Sequence, residues 1–429
     1  MNYRAVKGMN DILPDEMVRW HHLEREFRVV AERHGYGEVR TPIIESTALF
    51  TRSIGEATDI VEKEMYSFER HGEALTVRPE GTASAVRAYV EHHIHQKEPV
   101  TRWYYLGPMF RGERPARGRY RQFHQLGCEL FGDAGSVCDA EMIDMFHGLF
   151  MRLGISDLEI VINSLGGADT RPRYRQIIVD HLEPRKARLS EDSIRRLSSN
   201  PLRILDSKDE RDIAALEGLP SIIEVLTQDD REHFDRLCSQ LDRLGTPYRV
   251  DPTLVRGLDY YTRTLFELRS QAGQVGAQNA LGGGGRYDNL VQQMGGPSTP
   301  AIGFALGVER ILLAMDVAEL ASPPLVVIAP IGPQAASEAL LMARELRDHG
   351  ICVELDGRGG ASTSLKAMLR RANARGARVC LVLGQEELES QKVQLKDLAA
   401  RSQVLVAREE LMHRLLDVLQ QPMMTGGAA

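Results

Sequence analysis

Cysteine is scarce and dispersed in this 429-residue chain: Cys128, Cys138, Cys238, Cys352 and Cys380 form an odd set of five with no CxxC pair. That pattern excludes a disulfide framework and a zinc ribbon, and a reducing cytoplasm is the expected setting. No apolar run approaches the roughly 18 residues that a membrane-spanning helix requires, so no membrane association is expected. The opening MNYRAVKGMNDILPDE lacks an apolar signal core, so export is not expected either. With a net charge of -7 the chain is no globally basic nucleic-acid binder. There is no internal repeat and no low-complexity tract. Neither a P-loop nor a dinucleotide fingerprint occurs; Gly282, Gly283, Gly284 and Gly285, followed by Arg286, Tyr287 and Asp288, read instead as a close-approach turn.

Locally the sign of the charge reverses. From 101 to 131 the chain reads TRWYYLGPMFRGERPARGRYRQFHQLGCELF, two strand-like runs joined by a loop. Arg102, Arg111, Arg114, Arg117, Arg119 and Arg121 crowd this hairpin, with Glu113 as the one acid among them. Guanidinium groups stay charged and are costly to desolvate unpaired, so this turn faces water or a polyanion. Side chains alternate along a strand. Gln122, His124, Leu126, Cys128 and Leu130 therefore share one mostly apolar face, and Arg121, Phe123, Gln125, Gly127 and Glu129 share the other. An amide and a carboxylate on either side of a glycine leave room for something to lie on the strand. The second face reads as the floor of a small-molecule site with the arginine turn as its phosphate clamp; a solvated hairpin face with a packing glycine fits the same residues.

Apolar positions Met17, Trp20, Leu23, Phe27, Val30 and Ala31 recur at helical spacing over 15–34, after Pro14 and before Gly35. A strand at 37–41, ended or held at a sheet edge by Pro42, follows. This pair suits an oligomer seam or an outer layer. A strand at 75–79 runs into a helix from Thr82, whose Val86, Tyr89, Val90 and His93 form one face, and another strand is expected at 158–163. Residues 168–245 are dense in both charges, with helical patterns, and read as an insertion. Strand patterns return at 248–250, 262–268 and 301–306, the last leading into an apolar helix at 308–315. After a linker at Ser322, Pro323 and Pro324, apolar runs at 325–329, 351–355 and 379–383 alternate with helical stretches, a small α/β domain over 325–421. The tail at 422–429 reads as frayed.

Glu80 and Thr82 lie where a strand gives way to a helix. There a carboxylate can meet a substrate ammonium or simply cap the helix. In LVRGLDYYTRTLFE, 254–267, Arg256 stands beside Gly257 and can approach a phosphate or carboxylate closely, while Tyr261 can hydrogen-bond a polar ring; an edge strand with aromatic pairs is the competing reading. His92, His93 and His95 fall near a helix end and read as surface residues, so no metal site is assigned. Lys366, Arg370, Arg371 and Arg375 share a helical stretch and suit a solvated face more than an RNA patch.

With these pieces in order, the chain resembles the histidyl-tRNA synthetases of bacterial type, class II aminoacyl-tRNA synthetases, over nearly its whole length. The first helix with 37–42 resembles class II motif 1, FRGERPARGRYRQF motif 2, and GFALGVERILL motif 3. RGLDYYTRT and GGGGRYD resemble the two signatures that set histidyl enzymes apart. The resemblance implies an α+β catalytic domain over 1–322, with an antiparallel sheet flanked by helices and a helical insertion, then a C-terminal α/β anticodon-binding domain. It implies a homodimer that uses ATP and Mg2+ to make histidyl-adenylate and then passes the histidyl group to its tRNA.

Carried onto this sequence, the resemblance gives Arg111 and Arg256 to the α-phosphate and the reacting carboxylate. Glu113 is to read the adenine, Arg119 to reach the γ-phosphate and Arg310 to stack on the adenine ring. Glu80, Thr82 and Gln125 would bind the amino group of histidine, and Glu129 and Tyr261 its imidazole. Many bacterial members have glutamine after the proline of the motif 2 loop, where this chain has Ala116, so readout of the first tRNA base pair passes to Arg114, Arg117 or the backbone. The rival reading is a synthetase-like regulatory subunit of ATP phosphoribosyltransferase, which shares the catalytic fold. Such a paralogue is expected to lose the anticodon domain and several site residues that this chain keeps.

Overall fold

The computed structural model describes residues 3–55, 58–270, 279–315, 323–357 and 364–420. Two compact units divide the chain, 1–320 and 321–429. In the first unit the strands are β1 (Gly37–Glu38), β2 (Ile44–Ser46), β3 (Tyr66–Arg70), β4 (Glu73–Val77), β5 (Thr101–Phe110), β6 (Gln122–Phe131), β7 (Leu158–Ser164), β8 (Arg249–Val250), β9 (Thr262–Ser270), β10 (Ala280–Arg286) and β11 (Ala301–Gly307). Eight of them make one sheet in the order β1-β5-β6-β11-β10-β9-β7-β8. Its six inner strands are antiparallel, and the short outer strands β1 and β8 pair parallel to their neighbours, so the sheet is mixed rather than purely antiparallel. A separate sheet, β2-β4-β3, holds the expected strand before Thr82.

One face of the large sheet is closed by helices Pro14–Arg33, Ser136–Arg152, Gln228–Leu244 and Val308–Ala314. The first of these starts at a proline, carries Asp15 and Glu16 in its first turn, and buries Trp20, Leu23, Phe27, Val30 and Ala31 along one stripe. Gly35, at φ +78°, lets the chain turn out of it, and the Tyr36 N–H closes on the Ala31 carbonyl. Leu126, Cys128 and Leu130 of β6 pack into this layer, as their alternation predicts. The opposite face carries helix Thr82–Glu91, the 254–261 segment and the first part of the insertion, helices Thr170–Leu182, Glu191–Ser199 and Glu210–Ala215 with short 3-10 turns, while the last helix of the insertion, Gln228–Leu244, packs on the first face.

Two corrections concern the signature segments. Gly282 to Gly285 form the middle of β10, not a turn; side chains there would strike Gly303 and Thr264 carbonyls on the flanking strands. The run from Thr262 is no edge strand either, since β9 lies between β10 and β7.

Between the two faces, a buried ionic cluster pins the sheet to its helices. Asp139 and Arg286, both wholly buried, pair at 2.8 Å, and Asp139 also accepts from Thr264 Oγ1 at 2.6 Å and meets His233 Nε2 at 2.9 Å. Burial works against the Asp139 charge, but His233 and Arg286 hold its carboxyl below the usual range.

The second unit is a five-stranded sheet, β13-β12-β14-β15-β16, of β12 (Leu325–Pro330), β13 (Cys352–Leu355), β14 (Val379–Leu383), β15 (Lys392–Asp397) and β16 (Ser402–Ala407). The first three are parallel; the β15–β16 hairpin was not expected from the sequence. Arg371 of helix Leu365–Ala374 and Arg375 just after it pair with Asp356 and Glu354. Ser322 and the tail lie outside the described residues. No helix among the described residues is long and apolar enough to cross a membrane.

Candidate active site

The floor of a cleft in the first unit is built on β6 and β11. Glu129 is wholly buried there and receives three hydroxyls: Thr82 Oγ1 at 2.7 Å and the Tyr105 hydroxyl at 3.1 Å donate to Oε1, and the Tyr287 hydroxyl donates to Oε2 at 2.5 Å. Burial drives the Glu129 carboxyl up to about 8, against the pull of these hydroxyls. Glycines make this packing possible. Gly303 sits opposite Glu129 in register, and a Cβ there would lie 1.7 Å from Oε2. The Tyr105 ring lies between Gly127 and Gly81, where added Cβ atoms would fall 2.4 and 2.2 Å from it. The space above Gly127, read from the sequence as room for a ligand, is therefore filled by Tyr105.

Next to Glu129 lie the groups expected to meet an amino group. The Glu80 carboxylate accepts from the backbone N–H of Thr82 at 2.7 Å and of Ala83 at 2.8 Å, so it caps helix Thr82–Glu91 while also lining the cleft. Burial raises its pKa. Gln125 Oε1 is buried without a hydrogen-bond partner among the described residues, an acceptor left open at the cleft. Tyr261 lines the same wall, its ring centroid 4.8 Å from that of Tyr260.

Cations close the other end. Arg256 Nη1 pairs with Glu267 Oε2 at 2.6 Å and lies over Gly283, whose missing Cβ would come 3.0 Å from it. The guanidinium carbon of Arg111 is 5.2 Å from the Phe123 ring centroid, and its Nε donates to the Pro79 carbonyl at 2.9 Å. Arg310 donates to the carbonyls of Gly118 and Ala280, both at 2.9 Å. Burial and then the neighbouring Arg119 hold the Arg310 pKa below its ordinary value, the condition of a cation site poised for an anion. Arg119 pairs with Glu113 at 2.8 Å.

The structure thus brings Glu80, Thr82, Arg111, Glu113, Arg119, Gln125, Arg256, Tyr261 and Arg310 to one cleft, with Glu129 just beneath its surface. Arg114 and Arg117 stand apart, exposed on the hairpin loop. His92 and His93 are exposed at the far end of their helix. Sequence reasoning missed the roles of Tyr105, Tyr287 and Glu309. Glu309 receives the His124 backbone N–H at 2.9 and 3.0 Å, clipping motif 3 to β6 beside Gln125. A hydroxyl on an aromatic ring within β5, for Tyr105, and just after β10, for Tyr287, was the available signal for the tyrosines.

The family described as Histidyl-tRNA synthetase matches residues 8–311, and Anticodon binding domain matches 325–417. The chain belongs to the histidyl-tRNA synthetase family. It is 59% identical to the Histidine--tRNA ligase of Sorangium cellulosum, over 97% of each chain, and 48% identical to that of Cyanothece, over 96% of this chain and 95% of the relative. Among solved structures, the apo histidyl-tRNA synthetase of S. aureus superposes with a TM-score of 0.80 at 33% identity, covering 96% of this chain and 99% of that one. A Bacillus halodurans chain titled as an ATP phosphoribosyltransferase regulatory subunit/histidyl-tRNA synthetase matches with a TM-score of 0.66 over 90% and 99% of the chains; at 22% identity this likeness speaks for the fold alone.

Proposed function

We propose that this protein attaches histidine to its tRNA in the cytoplasm in two steps, an ATP-dependent activation to histidyl-adenylate and a transfer of the histidyl group to the terminal ribose of the tRNA that releases AMP. The observation that carries the reading is a buried carboxyl, Glu129, bonded to Thr82 just beneath a cleft whose other end is formed by Arg111, Arg256 and Arg310. A ring with two nitrogens offers a donor to Glu129 and an acceptor to the Tyr261 hydroxyl, which a side chain lacking them cannot supply. The ammonium of the substrate meets Glu80, Thr82 and the open Gln125 oxygen. Its carboxylate then lies toward Arg256 and Arg111, which also hold the α-phosphate, so that attack proceeds in line and pyrophosphate leaves. Arg119 and Arg310 receive the phosphate charge, and Glu113 the adenine. Alignment and fixed charge supply the rate; no covalent enzyme intermediate is required.

Magnesium commonly travels with ATP, held by phosphates and one or two carboxylates. Among the described residues no group of three metal-ligating side chains forms a protein cage, which suits an ion that would be carried chiefly by the phosphates of ATP. The exposed Arg114 and Arg117 suit the tRNA acceptor end. Edge strand β1 and the exposed Ile43 and Ile44 near it suit the seam of a homodimer. The regulatory-subunit reading has less support, because the curated relatives at 59% and 48% identity are ligases over nearly their full length. Histidine-dependent exchange of labelled pyrophosphate into ATP is the test: exchange that requires histidine supports the reading, and none with histidine present removes it.

A further inference from the structure

The helical insertion holds the RGLDYYTRT segment at alternate residues. Asn200 Nδ2 donates to Asp259 Oδ1 at 2.5 Å, and Arg171 Nη1 donates to the Tyr261 carbonyl at 3.1 Å. Arg263 Nε donates to Asp230 Oδ1 at 3.1 Å, and its Nη2 pairs with Asp229. All four partners, Asn200, Arg171, Asp229 and Asp230, belong to the insertion. The held segment presents Arg256 and Tyr261 to the cleft. Before Thr262 it has no strand ladder; at Asp259 the N–H bonds to the Ile54 carbonyl at 3.1 Å, and the carboxylate that accepts from Asn200 also lies within electrostatic reach of Arg171 and Arg203 of the insertion. Loops without ladders take their geometry from such side-chain contacts. Asn200 is 7% exposed, so its bond is shielded from competing water.

We propose that Asn200 is a positioning residue for histidine activation: its amide fixes Asp259, and through it the loop that carries Arg256 and Tyr261. The helical insertion thereby sets the geometry of the histidine end of the cleft, in addition to any part it takes in holding tRNA. Asn200 touches no substrate in this scheme and acts through the loop. The inference rests on the functional reading above.

The test measures histidine-dependent pyrophosphate exchange per active site, with sites counted by an adenylate burst. Asn200→Ala is expected to raise the histidine KM about tenfold, the usual weight of one shielded hydrogen bond to a charged group, and to leave the ATP KM within about twofold. Asn200→Asp sets two carboxylates together and raises the histidine KM further. Adding Asp259→Asn to Asn200→Asp exchanges the amide and the carboxylate and is expected to bring the histidine KM back toward the wild-type value. A merely structural role lowers the melting temperature and the number of active sites but leaves the per-site constants unchanged. That outcome overturns the proposal, as does a swapped pair that recovers nothing, whether or not Asn200→Ala folds. Wild-type protein without histidine-dependent exchange would instead remove the functional reading itself, before any variant is made.

Discussion

The Glu129 carboxylate occupies the space that any side chain at Gly303 would need, with a Cβ at that position 1.7 Å from Oε2. The two residues face each other in register across β6 and β11, so the backbone cannot yield without breaking the ladder. On the proposed role of Glu129 in sensing the imidazole, Gly303 would govern recognition without contributing a group to it. Gly303→Ala is expected to expel Glu129 from its three hydroxyls and lower histidine-dependent exchange at least about 100-fold, with ATP binding by calorimetry retained. An unchanged kcat/KM for histidine would contradict this.

Glu129 also gives the free protein a pH dependence of stability. Its carboxyl is raised from 4.5 to about 8 on folding, so the folded state keeps a proton that the unfolded chain releases within that window. Its contribution is complete below the lower value and is lost as pH rises through the upper one. Glu129→Gln removes the titration, and the melting temperature of the variant minus that of the wild type is expected to grow between about pH 5 and pH 8. A difference that stays flat across the window refutes the raised carboxyl.

Arg256 is paired with Glu267 and lies over Gly283 at the cleft. Arg256→His loses the planar fork and leaves Glu267 to its other partner, Arg269. Single-turnover adenylate formation is expected to fall at least about 100-fold while the ATP dissociation constant changes little. A near-normal first step would take the role away from Arg256.

Arg114 lies on the exposed part of the hairpin loop, outside the cleft lining. Arg114→Ala is expected to slow transfer to tRNA by about tenfold or more and leave pyrophosphate exchange near normal, with the transfer defect easing little as salt is lowered if the contact reads a base rather than a phosphate. Equal losses in both steps would contradict the assignment.

The Asp139–Arg286 pair is wholly buried at 2.8 Å, and Tyr287 follows Arg286 directly. Asp139→Ala takes the closer of two carboxylates from the buried Arg286, leaving Asp288 at 3.0 Å, and is expected to cost about 3–5 kcal/mol in denaturant unfolding of the first unit. A loss below about 1 kcal/mol would show that water or Asp288 takes over the charge.

Much of the site was legible because its parts lie on regular elements. Alternation along β6 correctly separated Gln125 and Glu129 from Leu126, Cys128 and Leu130, and of the hairpin arginines Arg111 and Arg119 line the cleft while Arg114, Arg117 and Arg121 do not. The glycines were read less well. Gly127 and the run at 282–285 were taken as space for a ligand and as a turn, whereas they accommodate Tyr105 and the flanking strands. A glycine announces a close approach but carries no information about what approaches. The β15–β16 hairpin was missed because VQLKD and SQVLVA lack the long apolar runs that marked the parallel strands of the same sheet.

Local pattern by itself determined which residues are cationic, which strand face is polar, where helices begin, and, through ordered motifs, the family to which the chain belongs. Those properties depend on side-chain chemistry and on periods of two or 3.6 residues, which neighbours in sequence express directly. Only the tertiary structure decided that Glu129 is gripped by Thr82, Tyr105 and Tyr287, and that Asn200 and Arg171 of the insertion reach the loop of Arg256. These contacts join residues between 24 and 158 positions apart, and their existence depends on strand order and close packing rather than on any local pattern.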